Sequence, residues 1–194
     1  MMTIFDGATL DEARTIIARY PVGRERSAVM PLLYLAQSIE GRVTRDGLQE
    51  VAALLGLRTA EVEAVASFYT MLRLRPTGRH VVSVCTNLSC ALRGAKDVYE
   101  AAHQAAGIAH GQELSEDEVV TLHEEECLGA CEKAPVVSID FVYHDDVTPE
   151  RMGALIAMLR AGEIPAPSRG EPMRDFRAAS RLLAGLPPAK EVGA

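Results

Sequence analysis

At 194 residues, with 48% hydrophobic side chains and a net charge of −7, the chain holds enough apolar mass for one or two folded domains. The acidic balance argues against nucleic-acid binding and against electrostatic attachment to an anionic membrane. No apolar run approaches the roughly 20 residues needed to cross a bilayer, and MMTIFDGATLDEAR lacks a basic segment leading into an apolar one, so a cytosolic setting is expected.

The first part of the chain reads as helical. Thr9 and Glu12 have the spacing of a capping box, predicting a helix that runs to about Arg19 with Ile16 and Ile17 inward and stops at Pro21. A second helix is expected over 27–40, where Pro31 is tolerated in the first turn and Gly41 supplies the left-handed end. A third covers 46–55, closed by Gly56. The fourth starts at Thr59 and runs to about Leu72, with Val62, Val65, Ala66 and Tyr69 on one buried face. Four short helices with brief connections make a small bundle.

Pro76 and Gly78 mark a boundary, after which Val81, Val82 and Val84 read as a buried strand. A helix follows over 91–106, then a polar loop and a short strand over 119–122. Two strands, 134–139 and 141–143, are joined tightly around Asp140. Thr148 caps a last helix with Pro149 in its first position and Met152, Leu155, Ile156 and Leu159 on its apolar side. The order is β-α-β, then β-β-α, and the class is α+β. The expected domains are a helical bundle over 1–78, a sheet domain over 79–163, and a Pro/Gly linker with an arm over 164–194. That arm carries Phe176, Leu182 and Leu183 before Pro187 and Pro188, and is read as docking on a neighbouring protein of a complex.

All four cysteines fall in two tight pairs, Cys85 with Cys90 and Cys127 with Cys131. In a reducing compartment such pairs bind metal more often than they form disulfides. Zinc, an iron–sulfur cluster and a thiol redox site all accommodate the spacing. Thr86, Asn87, Ser89, Gly129 and Ala130 let backbone N–H groups approach the sulfurs, which favours a cluster. So does the predicted helix start beside Cys90.

The stretches VCTNLSCALRG, ECLGACEKAPVV and VASFYTML, with Gln37 and Gly41 upstream, resemble the thioredoxin-like 2Fe–2S ferredoxin subunits of bacterial complex I, the 24 kDa type of NADH–quinone oxidoreductase. The resemblance covers nearly the whole chain. It implies a thioredoxin-like ferredoxin domain and one 2Fe–2S cluster held by Cys85, Cys90, Cys127 and Cys131. It further implies an electron-transfer subunit without an active site of its own, on the cytoplasmic side of the inner membrane in a peripheral arm. FMN and NADH would sit on a partner flavoprotein. The same type of subunit serves NAD-linked formate dehydrogenases and bidirectional hydrogenases, which stand as the alternative complexes; a zinc-stabilised adaptor is the non-redox alternative. No GxGxxG occurs here.

Glu124, Glu125 and Glu126, directly before Cys127, are expected to disfavour an added electron unless water screens them. His123 is not needed as a ligand beside four cysteines, and His80, His103, His110 and His144 are expected at the surface or in packing.

Overall fold

The computed structural model describes residues 3–187. Residues up to Pro76 together with those from Arg177 onward form one compact unit, and Thr77–Phe176 form the other. No helix among the described residues is long and apolar enough to cross a membrane.

The first unit is a helical bundle. It contains α1 (Gly7–Ile17), a 3₁₀ turn (Glu25–Ala28) leading into α2 (Val29–Glu40), α3 (Arg45–Leu55) and α4 (Thr59–Phe68). Their apolar faces meet in a core of Ile16, Leu32, Leu35, Val51 and Val62. Several boundaries differ from the sequence reading, and three of these differences have a visible cause. Asp6, not Thr9, caps α1; Thr9 lies at the third helical position, where its hydroxyl accepts the Asp6 N–H at 2.9 Å. Arg58, not Thr59, precedes α4, and Glu61 reaches back to the Arg58 N–H at 3.1 Å.

The third difference is the end of α4, which stops at Phe68 with Tyr69 extended and 44% exposed rather than inward. The cause is a single buried side chain. Gln37, on α2, donates to the Met71 carbonyl at 3.1 Å and accepts the Arg73 N–H at 2.7 Å. Backbone groups satisfied by a carboxamide have no need of a continuing helix.

From Arg177 the chain belongs to this same unit. The helix α8 (Phe176–Leu183) is followed by Ala184 and Leu186, which join the bundle core. Ser180 receives a hydrogen bond from Gln37 at 3.1 Å, Arg181 pairs with Glu12, and Arg19 donates to the carbonyls of Ala184 and Gly185. The segment expected to reach a neighbouring protein therefore folds back on its own chain, because its alanines and Leu186 complete a core already present. Pro188 and the rest of the expected arm lie outside the described residues.

The second unit is a four-stranded sheet of order β2-β1-β3-β4, with β1 at His80–Cys85, β2 at Val120–Glu125, β3 at Val137–Ile139 and β4 at Val142–His144. β1 pairs parallel with β2 and antiparallel with β3, so it is central, and all six of its residues are buried. A strand covered on both faces reads as a near-continuous apolar run, which makes it the clearest strand in the sequence. β2 extends past Leu122 because parallel pairing with β1 continues to Cys85↔Glu125, drawing polar residues into the ladder. β3 and β4 are joined by Asp140 and Phe141, both at positive φ (50° and 69°), as a two-residue hairpin turn demands.

The single helix expected over 91–106 is two: α5 (Leu88–Leu92) and α6 (Ala95–Ala106). Gly94 separates them at φ +88°, a conformation that side-chain-bearing residues rarely adopt. With α7 (Pro149–Arg160), α6 covers a core of Val82, Val84, Val98, Leu122, Met152 and Ile156. Thr148 caps α7 by accepting the Arg151 N–H, as its sequence predicts. At Gly78 a Cβ would stand 2.9 Å from backbone atoms of Glu118, Val119 and Val120, so only glycine admits β2 this close.

At the start of β1, His80 and Asp140 form a buried pair, Nδ1 to Oδ2 at 2.6 Å, and Asp140 also accepts the Val81 N–H at 2.9 Å. Burial pushes the Asp140 carboxyl up, opposed by its contact with His80. His103 is buried and bonded to the Ile108 carbonyl, while His110 is exposed, so the histidines serve packing and surface as expected.

Candidate metal centre

The last residue of β1 is Cys85, and the chain must turn sharply there to begin α5. Asn87 caps that helix by accepting the Leu88 N–H at 2.7 Å, which brings Cys90 inward on its buried side. Cys85 and Cys90 are 3% and 2% exposed and lie in a small cluster with Ala95, Ala130, Ala134 and Val136. Three of these neighbours are alanines, so most of the side chains packed on the inner cysteines are small.

The second cysteine loop begins where β2 ends. Cys127 and Cys131 are exposed, and Gly129 between them adopts φ +73°, which lets the backbone turn back within three residues. The two loops are laced together. The Thr86 N–H donates to the Glu125 carbonyl at 3.0 Å and the Cys85 N–H to the Val136 carbonyl at 3.1 Å. Thr86 bonds Glu124 at 2.7 Å, and the Cys85 thiol donates to the Glu126 carbonyl at 3.7 Å. The loop exit, with its cis Ala134–Pro135 peptide, is fixed by Asp146 and Val147, whose N–H groups donate to the Lys133 and Pro135 carbonyls.

Burial pushes the Cys90 thiol up to about 11; a Val136 backbone hydrogen bond opposes this, and the neighbouring Cys85 and Cys131 sulfurs add to it. Three of the four expected residues thus sense one another, and Cys127 sits four positions away on the same loop as Cys131. Among the described residues no three His, Cys, Asp or Glu donors already close around a point. The inner pair is therefore set in the fold, while the outer pair stands on an exposed loop. Thiolates brought together here repel one another, and a cationic metal core relieves both the repulsion and the cost of ionising the buried pair. The donor set, four cysteines with the Val136 backbone hydrogen-bonded to Cys90, fits an all-thiolate centre.

Two residues that hold the outer loop were not evident in the sequence. Tyr143, on β4, donates its hydroxyl to the Leu128 carbonyl at 2.7 Å. Arg169 lies with its guanidinium 5.1 Å from the Tyr143 ring centre. A tyrosine in a strand and an arginine in a Pro/Gly stretch carry no local pattern that points to a ligand loop.

The profile of the thioredoxin-like [2Fe-2S] ferredoxin family matches residues 13–160. A subunit of the NADH-quinone oxidoreductase of Mycobacterium tuberculosis is 47% identical over 176 residues, which is 91% of this chain and 69% of that protein. NADH-quinone oxidoreductase subunit 2 of Thermus thermophilus is 40% identical over 147 residues, 75% of this chain and 81% of that one. Among solved structures, an NAD+-reducing [NiFe]-hydrogenase in the air-oxidised state superposes with a TM-score of 0.61 at 22% identity, over 69% of this chain and 23% of the hydrogenase chain, a likeness of fold. Matched by its profile across both the helical bundle and the sheet with its cysteine loops, the chain belongs to the thioredoxin-like [2Fe-2S] ferredoxin family.

Proposed function

We propose that this chain is the electron-transfer subunit of the NADH-oxidising module of an NADH–quinone oxidoreductase. The observation that carries the proposal is the lacing of two cysteine loops at the C-terminal ends of β1 and β2, with Cys85 and Cys90 buried and Cys131 beside them. The 47% identity to a mycobacterial NADH-quinone oxidoreductase component over 91% of the chain supports the choice of complex. Cys85, Cys90, Cys127 and Cys131 are the ligands of one 2Fe–2S cluster. Bound there, the cluster supplies one-electron redox chemistry and takes no part in hydride transfer.

The chain's own residues do three things in this role. They bind the centre through four sulfurs. They exclude water from its inner side with Ala95, Ala130, Ala134 and Val136. They also present a face to a redox partner: Leu88 and Leu92, 70% and 79% exposed, stand one turn apart on α5 on either side of buried Cys90. Exposed leucines beside a redox centre suit a partner that must approach closely, here a flavoprotein carrying FMN and receiving hydride from NADH. The assembly is a peripheral arm facing the cytoplasm.

Electron paramagnetic resonance of the anaerobically purified, dithionite-reduced chain, with iron and acid-labile sulfide analysis, tests the reading. An S = ½ signal with about two irons and two sulfides per chain is the expected result. A silent spectrum with one zinc per chain overturns it.

A further inference from the structure

Residues 161–175, between α7 and α8, supply no ligand, yet they grip the outer cysteine loop. The grip starts at Ser168, whose N–H donates to the Tyr143 carbonyl at 2.8 Å and whose hydroxyl accepts the Asp145 N–H at 2.8 Å. This fixes Arg169. Its guanidinium makes two bonds to the Asp145 carboxylate, at 3.2 and 2.7 Å, and lies over the Tyr143 ring whose hydroxyl holds Leu128. It also reaches Glu132 at 3.5 Å. Leu128 directly follows Cys127 and Glu132 directly follows Cys131, so each outer cysteine has an anchored neighbour.

We infer that Arg169 is the positioning residue for the exposed half of the metal centre, holding the Cys127–Cys131 loop through Tyr143 and Glu132. The inference rests on the ligand assignment proposed above. An isolated surface ion pair contributes little. This one differs because the Asp145 side chain is only 12% exposed, the contact is forked, and the planar cation is stacked on a ring. Of residues 126–130, between β2 and the 3₁₀ turn at Cys131–Lys133, Glu126, Cys127 and Gly129 are exposed and only Ala130 is buried, so much of their order must be supplied from outside.

The test uses the full chain as purified, comparing wild type with Arg169→Gln, Arg169→Lys and Tyr143→Phe. Three quantities are measured: bleaching of the visible absorbance by a chelator, the midpoint potential, and amide hydrogen exchange of the peptide covering 128–133. Arg169→Gln is expected to bleach about fivefold faster, to shift the midpoint negative because a cation has gone from beside Glu132, and to speed exchange in that peptide. Arg169→Lys keeps the charge and restores the midpoint, while retaining part of the faster bleaching because an ammonium cannot fork. Tyr143→Phe speeds bleaching without moving the midpoint. Unchanged bleaching and exchange in Arg169→Gln overturn the inference. If the wild type carries no 2Fe–2S cluster, the functional reading fails, whereas the exchange data still decide whether Arg169 holds the loop.

Discussion

His144 offers a pH test of the sheet domain that does not involve the cysteines. Its ring is 1% exposed on β4, and its Nδ1 has no hydrogen-bond partner among the described residues. Burial, with the Arg151 charge adding to it and Asp145 opposing, lowers its pKa from 6.5 to about 4. The folded protein therefore holds a neutral imidazole where the unfolded chain takes up a proton below pH 6.5. Between these two values the unfolded state binds more protons, so stability is complete above pH 6.5 and is lost progressively toward pH 4. From pH 7.5 to pH 5.5 the shift corresponds to about 1.3 kcal/mol, and to no more than about 3.4 kcal/mol once pH falls below the folded value. The comparison is between wild type and His144→Leu, which removes the titrating group and leaves an apolar side chain in an apolar place. Urea unfolding followed by pulsed hydrogen exchange in β3–β4 peptides separates this domain from the helical bundle. The wild type is expected to lose about 1.3 kcal/mol more than the variant over that interval. Equal losses in the two proteins refute the reasoning.

Replacing Glu124, Glu125 and Glu126 together with Gln removes three negative charges beside the cysteine loops. The midpoint potential of the cluster is expected to rise by about 30 mV at low salt and less at high salt, read by spectroelectrochemistry. An unchanged potential means that water screens the acidic run completely. Gln37→Leu leaves the Met71 carbonyl, the Arg73 N–H and the Ser180 hydroxyl without the partner each has now, at a cost of about 3 kcal/mol. Hydrogen exchange should show α8 and residues 69–73 opening first, and uniform destabilisation of the bundle would contradict the central role given to this glutamine. Asp140→Ala strips the buried His80 ring and the Val81 N–H of their acceptor, and is expected to cost about 3 kcal/mol in the sheet domain by urea unfolding.

What could be read from the sequence was whatever local chemistry decides. HVVSVC is apolar enough to be a central strand wherever it folds, Thr148, Gly41 and Gly56 bound helices by their own side chain or φ angles, and the four cysteines fall in two tight pairs. What could not be read was decided by residues distant in the chain. Gln37 ends α4 from the neighbouring helix α2, and no pattern near Phe68 records it. Gly94 falls inside the helix expected over 91–106, yet its left-handed backbone is what lets α5 hold Cys90 while α6 packs on the sheet. The segment after Ile164 has a linker's composition, and Ser168 and Arg169 act only because β4 passes beside them. The unequal burial of the two cysteine pairs is also a property of the fold: VCTNLSC enters a core, and CLGAC leaves one.

β1 joins two sites of opposite purpose. His80, at its start, is bound to Asp140, and Cys85, at its end, belongs to the proposed metal centre. Five steps of strand separate them by about 17 Å. At that distance a change at Asp140 is expected to act on the domain's stability, through the buried histidine it abandons, more than on the cluster's potential. Arg169 is placed the other way round, beside the cysteine loop and 41% exposed, so its loss acts on the centre and hardly on the fold. Asp140→Asn sharpens the contrast, because asparagine tolerates the positive φ at this turn and retains one acceptor for the Val81 N–H. It should lower stability by about 1–2 kcal/mol with the midpoint unmoved. A potential that shifts with Asp140→Asn would mean that the strand transmits strain from one end to the other, and that stability and redox tuning in this domain are not separable.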